Sequence, residues 1–242
     1  MTDSFFYPYP PLIPGILRQR YKRFFADIEL TNGEVITAHC PNTGPMTGVC
    51  QIGQPVYLSQ SNNPKRKLAY TWEMIQIEET WVGVNTNLPN QVIKQALIDH
   101  LLPELADLYD TVKTEVPYGK DRKSRIDFLL TGQQTPDVYV EVKNTTLTEG
   151  HLALFPDTVT TRGQKHLEEL TALLPQAIAV MLYFINRGDC TSFAPGTAYD
   201  PHYAQLLRMG IKKGLRVLPC RFDISPQGIR YLGLAELDFP CE

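Results

Sequence analysis

Two stretches, Ser124-Arg125-Ile126-Asp127-Phe128-Leu129-Leu130 and Asp137-Val138-Tyr139-Val140-Glu141-Val142-Lys143, decide how the rest of the chain is read. Both are apolar runs of strand length, rich in β-branched and aromatic residues. Gly132 to Pro136 between them is loop-like, so the two runs are expected to pair as a hairpin. Residues two apart on a strand share a face, so Glu141 and Lys143 project together. Asp127 joins them if the register brings it opposite. Charge on a half-buried strand is costly unless it is paired or metal-bound. Two carboxylates and one ammonium on one sheet face suit phosphodiester chemistry. The carboxylates hold a hard cation that also takes phosphate oxygens and water, and the lysine orients that water or neutralises developing charge. The same acid–base spacing occurs in solvated ion pairs of little consequence, and D…ExK alone is a weak motif.

The whole chain sets bounds on this reading. Its 242 residues suffice for one large core or two smaller ones. Hydrophobic content of 43% and charged content of 20% are ordinary for a globular protein. A net charge of -3 leaves no general basic field, so nucleic acid would have to be gripped by a local patch. The five cysteines, Cys40, Cys50, Cys190, Cys220 and Cys241, are odd in number and lack CxxC spacing. That argues against a disulfide framework and against a zinc knuckle, and it fits a reducing cytoplasm. His39-Cys40 with Cys50 is a thin hint of metal binding beside the plainer reading of structural thiols. No apolar run is long enough to cross a bilayer, and Met1-Thr2-Asp3-Ser4 lacks the marks of a signal peptide. The expected location is cytoplasmic, with no membrane partner.

Residues 5 to 15 are rich in Pro and aromatics and read as an extended arm packed on another part of the molecule. Short strands follow. Phe24, Ala26, Ile28 and Leu30 alternate with Asp27 and Glu29, Asn32-Gly33 makes a hairpin turn, and Val35 to Cys40 returns. Val56 to Gln60, Lys67 to Ile77 and Trp81 to Val84 are further strands. So many short strands in so little chain suggest a small closed barrel of the OB type. Near residue 85 the period changes. Leu88, Val92, Ile93, Ala96, Leu97 and Leu101 fall at helical spacing, after Asn87 as cap and with Pro89 in the first turn. Strands are then expected at 111–117, 124–131 and 137–145, a helix from Thr160 to Leu174, and a buried strand at 177–185. A helix at 200–213 and a strand at 215–222 follow. The order is α-β-β-β-α-β-α-β, with the acidic pair on the second and third strands and helices free to cover the sheet.

Two stretches in the predicted barrel combine positive charge with rings. One is Arg18, Arg20, Lys22 and Arg23 with Tyr21, Phe24 and Phe25; the other is Lys65-Arg66-Lys67 beside Tyr70 and Trp72. Basic side chains over phosphates and rings under bases are how such barrels hold single strands. Lysines guarding an exposed strand edge have the same appearance. The loop Asn42-Thr43-Gly44 with Thr47-Gly48 could turn N–H groups to an anion, or be a plain turn. At the start of the second domain's second helix, Gln164 or Lys165 could reach a phosphate, or lie on ordinary helix surface, with His166 packed or solvated.

Asp on the second strand and ExK on the third resembles the PD-(D/E)xK nuclease superfamily. Longer strings narrow the resemblance. Arg20-Tyr21-Lys22-Arg23-Phe24, His39-Cys40-Pro41-Asn42-Thr43-Gly44, Met46-Thr47-Gly48, Trp81-Val82-Gly83-Val84-Asn85-Thr86, Ser124 to Leu130, Glu141-Val142-Lys143, and Phe155-Pro156-Asp157 through Arg162-Gly163-Gln164-Lys165-His166-Leu167 look like the sugar fermentation stimulation protein family. This resemblance implies a two-domain α+β and α/β protein. An OB-like β-barrel with its arm would occupy residues 1–84, and a PD-(D/E)xK nuclease-like α/β domain residues 85–242. It also implies DNA binding, a link to regulation of sugar-utilisation genes, and Mg²⁺ or Mn²⁺ at Asp127 and Glu141. The Val142 carbonyl would be a further ligand, and Lys143 would complete the catalytic set. Arg20, Tyr21, Lys22, Arg23, Lys65, Arg66, Lys67, Gln164 and Lys165 would contact the nucleic acid. The superfamily often adds a glutamate on the first helix, expected here near Ala96. This chain instead has Gln95 and no acid until Asp99, with Glu115 as a substitute. Two other functions fit the same residues: a non-catalytic DNA-binding regulator, and a barrel that binds RNA or protein.

Overall fold

A computed structural model of the chain describes residues 6–239; Phe5 of the arm and Cys241 lie outside them. Strand β1 (Phe6–Pro8) comes from the Pro-rich arm. The barrel follows as β2 (Ile13–Tyr21), β3 (Phe25–Leu30), β4 (Val35–His39), β5 (Pro55–Gln60) and β6 (Tyr70–Ile77), with β7 (Thr80–Gly83) flanking it. The strands run β4-β3-β2-β5-β6-β7, and a β4–β6 pairing at His39↔Thr71 closes five of them into a ring. Alternation is the cause: Ala26 and Ile28 point inward and are fully buried, while Asp27 and Glu29 remain partly exposed. Trp72 lies in the barrel core with Leu17, Met46 and Leu58. Its indole N–H donates to the Met74 carbonyl at 2.9 Å, and because the ring is wholly buried it is not available to stack a base. Several boundaries differ from the sequence reading. Phe24 sits in the β2–β3 turn rather than on a strand, and Lys67 to Ala69 belong to the loop before β6.

The second half begins with α1 (Leu88–Ile98), then β8 (Thr111–Tyr118), β9 (Ser124–Thr131) and β10 (Val138–Thr145). After these come β11 (Leu147–Glu149), β12 (Leu152–Phe155), α2 (Thr161–Thr171), β13 (Ile178–Ile185) and β14 (Ser192–Pro195). The chain ends with α3 (Pro201–Lys212), β15 (Arg216–Ser225), β16 (Gly228–Leu234) and β17 (Glu236–Leu237). The expected α-β-β-β-α-β-α-β order is present. Added to it are β16 and a small sheet of order β11-β12-β14-β17. Helix α1 stops before Leu101, because His100 takes a left-handed φ of +54° and the Leu101 N–H turns back to the Ala96 carbonyl at 2.8 Å. The main sheet has the order β1-β16-β15-β13-β10-β9-β8, with β10, β13 and β15 mutually parallel at its centre.

The period of two along these strands divides the core. Val138, Val140, Val142, Val180 and Leu182 pack with α1, while Leu129, Ala179, Met181 and Tyr183 pack with α2 and α3. Barrel and sheet are not independent bodies. Met74 of β6 belongs to the α1-side core, Val82 bridges Arg187, and Gly83 N–H donates to the Asn186 carbonyl at 2.9 Å. The arm crosses back to pair β1 with β16, so it packs on the sheet, with Tyr7, Tyr9 and Leu12 against the α1-side core. No helix among the described residues is long and apolar enough to cross a membrane.

A Cβ placed on Gly83 would lie 2.0 Å from Asn186 Oδ1, and Asn186 is buried and fixed by donating to Asn144 Oδ1 at 2.9 Å. Gly83→Ala is therefore expected to destabilise the protein by about 1–3 kcal/mol, as overpacking does. Urea unfolding should also show that most of this cost disappears in an Asn186→Ala background, the non-additivity of a direct clash.

Candidate active site

Strands β9 and β10 share only three register pairs, Val138↔Leu130, Tyr139↔Leu129 and Val140↔Phe128. Continued by one residue, that register sets Asp127 opposite Glu141. There the ladder is replaced: the Val142 N–H donates to Asp127 Oδ2 at 2.7 Å. The other neighbour of β9 is irregular at the same level. Pairing with β8 passes from Thr114↔Phe128 to Val116↔Ile126, and the intervening Glu115 has a φ of +54°. Asp127 thus sits where β9 is released from both neighbours. Its Oδ1 accepts from Asn90 Nδ2 at 2.8 Å, from the first turn of α1.

Glu141 is only 3% exposed. Its Oε1 accepts from Lys143 Nζ at 2.6 Å and lies 2.5 Å from His166 Nδ1. Its Oε2 is buried with no hydrogen-bond partner. Lys143 Nζ also approaches His166 Nδ1 at 3.4 Å. Helix α2 delivers His166 because its buried stripe is Gly163, His166, Leu167 and Leu170, and Thr160 caps its start by accepting the Gly163 N–H at 3.1 Å.

The two carboxylates are driven apart. Burial, and then the negative charge of Glu141, push Asp127 up to about 6, against the donors Val142 N–H and Asn90 and the charge of Lys143. Burial is the largest influence on Glu141 too and pushes it up. The His166 hydrogen bond and the Lys143 charge together outweigh it and hold Glu141 below the usual carboxylate value. Tyr118 feels the same field: burial, then Glu141, Glu169 and Asp127, drive its hydroxyl far up. One carboxylate is therefore firmly ionised and the other poised, which is how neighbouring acids take different tasks.

The residues fit a divalent cation. Among the described residues no group of three His, Cys, Asp or Glu side chains forms a metal cage. Mg²⁺ needs less, since it keeps several waters and is held by one or two carboxylates. The orphaned Glu141 Oε2 is a free acceptor beside Asp127, and the main chain of Val142 is tied to the same carboxylate. The first helix contributes an amide rather than an acid: Asn90 reaches the site, whereas Gln95 donates to Asp99 on the exposed surface and Ala96 is in the core. Glu115 is exposed, and its carbonyl accepts from Arg125. The Cys40 thiol is spent on the Asn42 carbonyl and Met46.

The sequence-predicted contact residues have mixed settings. Arg20 Nη2 donates to the carbonyls of Asn42 and Gly44, each at 2.9 Å, and so pins the 41–48 loop. Lys22 and Arg23 are exposed in the β2–β3 turn. Tyr21 packs on Phe25 and its hydroxyl donates to Asp27. Lys65, Arg66 and Lys67 are exposed, with Arg66 Nη2 donating to Thr71 Oγ1 at 2.8 Å. Gln164 donates to both oxygens of Asp200 at 2.9 Å, and Lys165 pairs with Glu169 at 3.7 Å. Asn90, Asp200 and the role of His166 escaped the sequence reading. For His166 the signal was a polar residue on the apolar face of a helix, which needs a buried partner.

A carboxylate whose folded pKa is raised binds its proton more tightly in the native state than in the unfolded chain. Stability from Asp127 is therefore full below its unfolded value near 3.8 and is lost as pH rises through about 6. In chelator, wild type should lose up to about 3 kcal/mol relative to Asp127→Ala between pH 4 and 8, at about 1.36 kcal/mol per pH unit of displacement. Denaturant midpoints of the two proteins across that range provide the check.

Residues 19–84 match the family model described as the SfsA N-terminal OB domain, and residues 87–228 that of the sugar fermentation stimulation protein RE domain. The chain is 69% identical over 237 residues to a sugar fermentation stimulation protein homolog of Rippkaea orientalis, covering 98% of both chains. With one from Synechocystis sp. it shares 70% over 234 residues, covering 97% of this chain and 99% of that one. A solved structure described as Pyrococcus furiosus SfsA in complex with Ca²⁺ has the same fold, with a TM-score of 0.86 at 24% identity over 96% of this chain and 98% of that one. The chain belongs to the sugar fermentation stimulation protein family.

Proposed function

We propose that this protein binds DNA and cleaves it in a reaction dependent on Mg²⁺ or Mn²⁺ at Asp127, Glu141 and Lys143. The observation that supports this most is the buried, partnerless Oε2 of Glu141 beside a carboxylate whose proton affinity is raised. Such an arrangement is costly for a structural ion pair and suits a site that receives a cation. A related fold described with Ca²⁺ is in keeping with a divalent ion. When bound, that ion polarises a phosphodiester and lowers the pKa of water. Asp127 and Glu141 would hold it; Asn90 and the Val142 N–H fix the Asp127 carboxylate. Lys143 brings positive charge to where the phosphate gains negative charge. Lys22, Arg23, Lys65 and Lys67 are exposed cations available to the DNA backbone. The free cysteines Cys40, Cys50, Cys190 and Cys220 accord with a reducing cytoplasm.

One observation favours a binding-only reading. Asn90 brings an amide, not a third carboxylate, to the site. Substitution separates the two readings. Asp127→Ala, Glu141→Gln and Lys143→Ala should each lower metal-dependent cleavage of single-stranded or duplex DNA by about 10²–10³-fold, with DNA affinity nearly kept. Chelator should abolish cleavage. Equal cleavage by wild type and Asp127→Ala would trace the activity to a contaminant; binding without cleavage in every protein would leave the non-catalytic regulator.

The backbone contacts can be measured apart from cleavage. Replacing Lys22 and Arg23 with alanine should flatten the dependence of log K on log salt by about 0.7–0.9 per lost phosphate contact. An unchanged slope would return these residues to a solvated turn.

A further inference from the structure

Between the arm, the barrel and the start of α1 lies a cleft of about 420 Å³, within the range of small-ligand sites. Its floor is Glu73, 5% exposed, whose two oxygens accept from Ser59 Oγ at 2.5 Å and Asn85 Nδ2 at 2.8 Å. Each oxygen keeps a further lone pair. Tyr9 of the arm forms a wall; its hydroxyl is buried and has no hydrogen-bond partner, and burial first, then the nearby Glu73 charge, raise its pKa. At the mouth is the exposed guanidinium of Arg66, flanked along the chain by Lys65 and Lys67.

The charges restrict the occupant. A buried anion behind a cationic rim repels a simple cation at the entrance and a simple anion at the floor. It favours a molecule with hydrogen-bond donors at one end and an anion at the other, and the aromatic lining, Tyr7 together with Tyr9, favours a flat ring between them. A nucleotide has this form. Among the bases, guanine offers two adjacent donors, N1–H and N2–H, to one carboxylate, with an acceptor, O6, next to them for a hydroxyl. Adenine would turn the N1 lone pair toward Glu73.

We infer that this cleft is a base-reading subsite that takes one guanine of the bound nucleic acid, with N1–H and N2–H on the Glu73 carboxylate, O6 on the Tyr9 hydroxyl and phosphate on Arg66. The inference rests on the nucleic-acid reading of the protein. Leu88 and Gln91 of α1 line the cleft, and Asn90 of the same turn holds Asp127. A strand with its guanine in the cleft therefore passes over the start of α1 toward the acidic pair.

The test is calorimetric titration of the full chain, in chelator, with GMP, AMP, CMP and UMP, and with guanosine. Wild type should bind GMP about tenfold or more tighter than AMP, the discrimination of a bidentate base contact. Glu73→Gln should abolish that preference, and Tyr9→Phe should weaken GMP severalfold. Arg66→Ala, with its folding checked by the unfolding midpoint, should weaken GMP and leave guanosine unchanged. No GMP binding at millimolar concentration, equal affinity for GMP and AMP, or full GMP affinity in Glu73→Gln or Arg66→Ala would overturn the inference. Because the titration uses neither metal nor cleavage, its failure is distinct from failure of the nuclease reading. Cleavage without GMP preference removes only the subsite; GMP preference without cleavage removes only the nuclease.

Discussion

The hydrogen bond from the Val142 N–H to Asp127 Oδ2, at 2.7 Å, is the constraint around which the site is built. A β-ladder satisfies backbone N–H groups with carbonyls. Here one rung is taken by a carboxylate instead, so β9 and β10 pair at Val140↔Phe128 and part beyond it. The parting opens the sheet at its second and third strands and leaves a buried acid at the opening. An apolar residue at 127 would satisfy burial but leave the Val142 N–H without an acceptor. The sheet tolerates the charge because Asn90 and Val142 both donate to it.

On the other side of the opening the problem is reversed. Glu141 carries its charge on the buried sheet, level with Met181 of the α2-side core. Lys143 and His166 converge on one of its oxygens and leave the second bare. This one-sided satisfaction distinguishes it from an ordinary ion pair such as Arg187–Asp189, where two guanidinium nitrogens meet two carboxylate oxygens at 2.6 Å. The position of His166 depends in turn on α2, and α2 is held by Asp200 of the next helix start, which accepts from Thr160 N–H and Gln164. A residue far along the chain therefore helps hold His166 against Glu141.

Barrel and sheet meet close to this opening. Arg20 and Thr86 fix the 41–48 loop through its carbonyls, the latter by donating to Pro41 at 3.0 Å. A small cavity of about 100 Å³ lies where Asn42 and Gly44 of that loop face Asn144 and Thr145, the residues that follow Lys143. The arm adds a third tie by pairing β1 with β16. Residues of the barrel thereby stand beside the strand that carries Glu141 and Lys143.

What the sequence determined by itself follows from local periodicity. Alternation in Phe25–Leu30 and Ser124–Thr131, helical spacing after Asn87 and the uninterrupted apolar run at 178–185 gave the barrel, the element order and the central strand, because each rests on residues two to four apart. The i, i+2 rule likewise put Glu141 and Lys143 on one face. The tertiary structure decided what depends on distant chain. It chose Asn90 and not a residue near Ala96 as the contact from α1, since helix rotation is set by packing of Val92, Ile93 and Leu97. It turned Arg20 and Gln164 toward carbonyls and a carboxylate, and buried Trp72, because unmet acceptors and core space compete for such side chains more strongly than solvent does. It added the small β11-β12-β14-β17 sheet, whose strands of two to four residues are too short to show a period. It also brought His166 to Glu141 across 25 residues of sequence. No local pattern encodes that meeting; it arises only when α2 packs its buried face against the sheet.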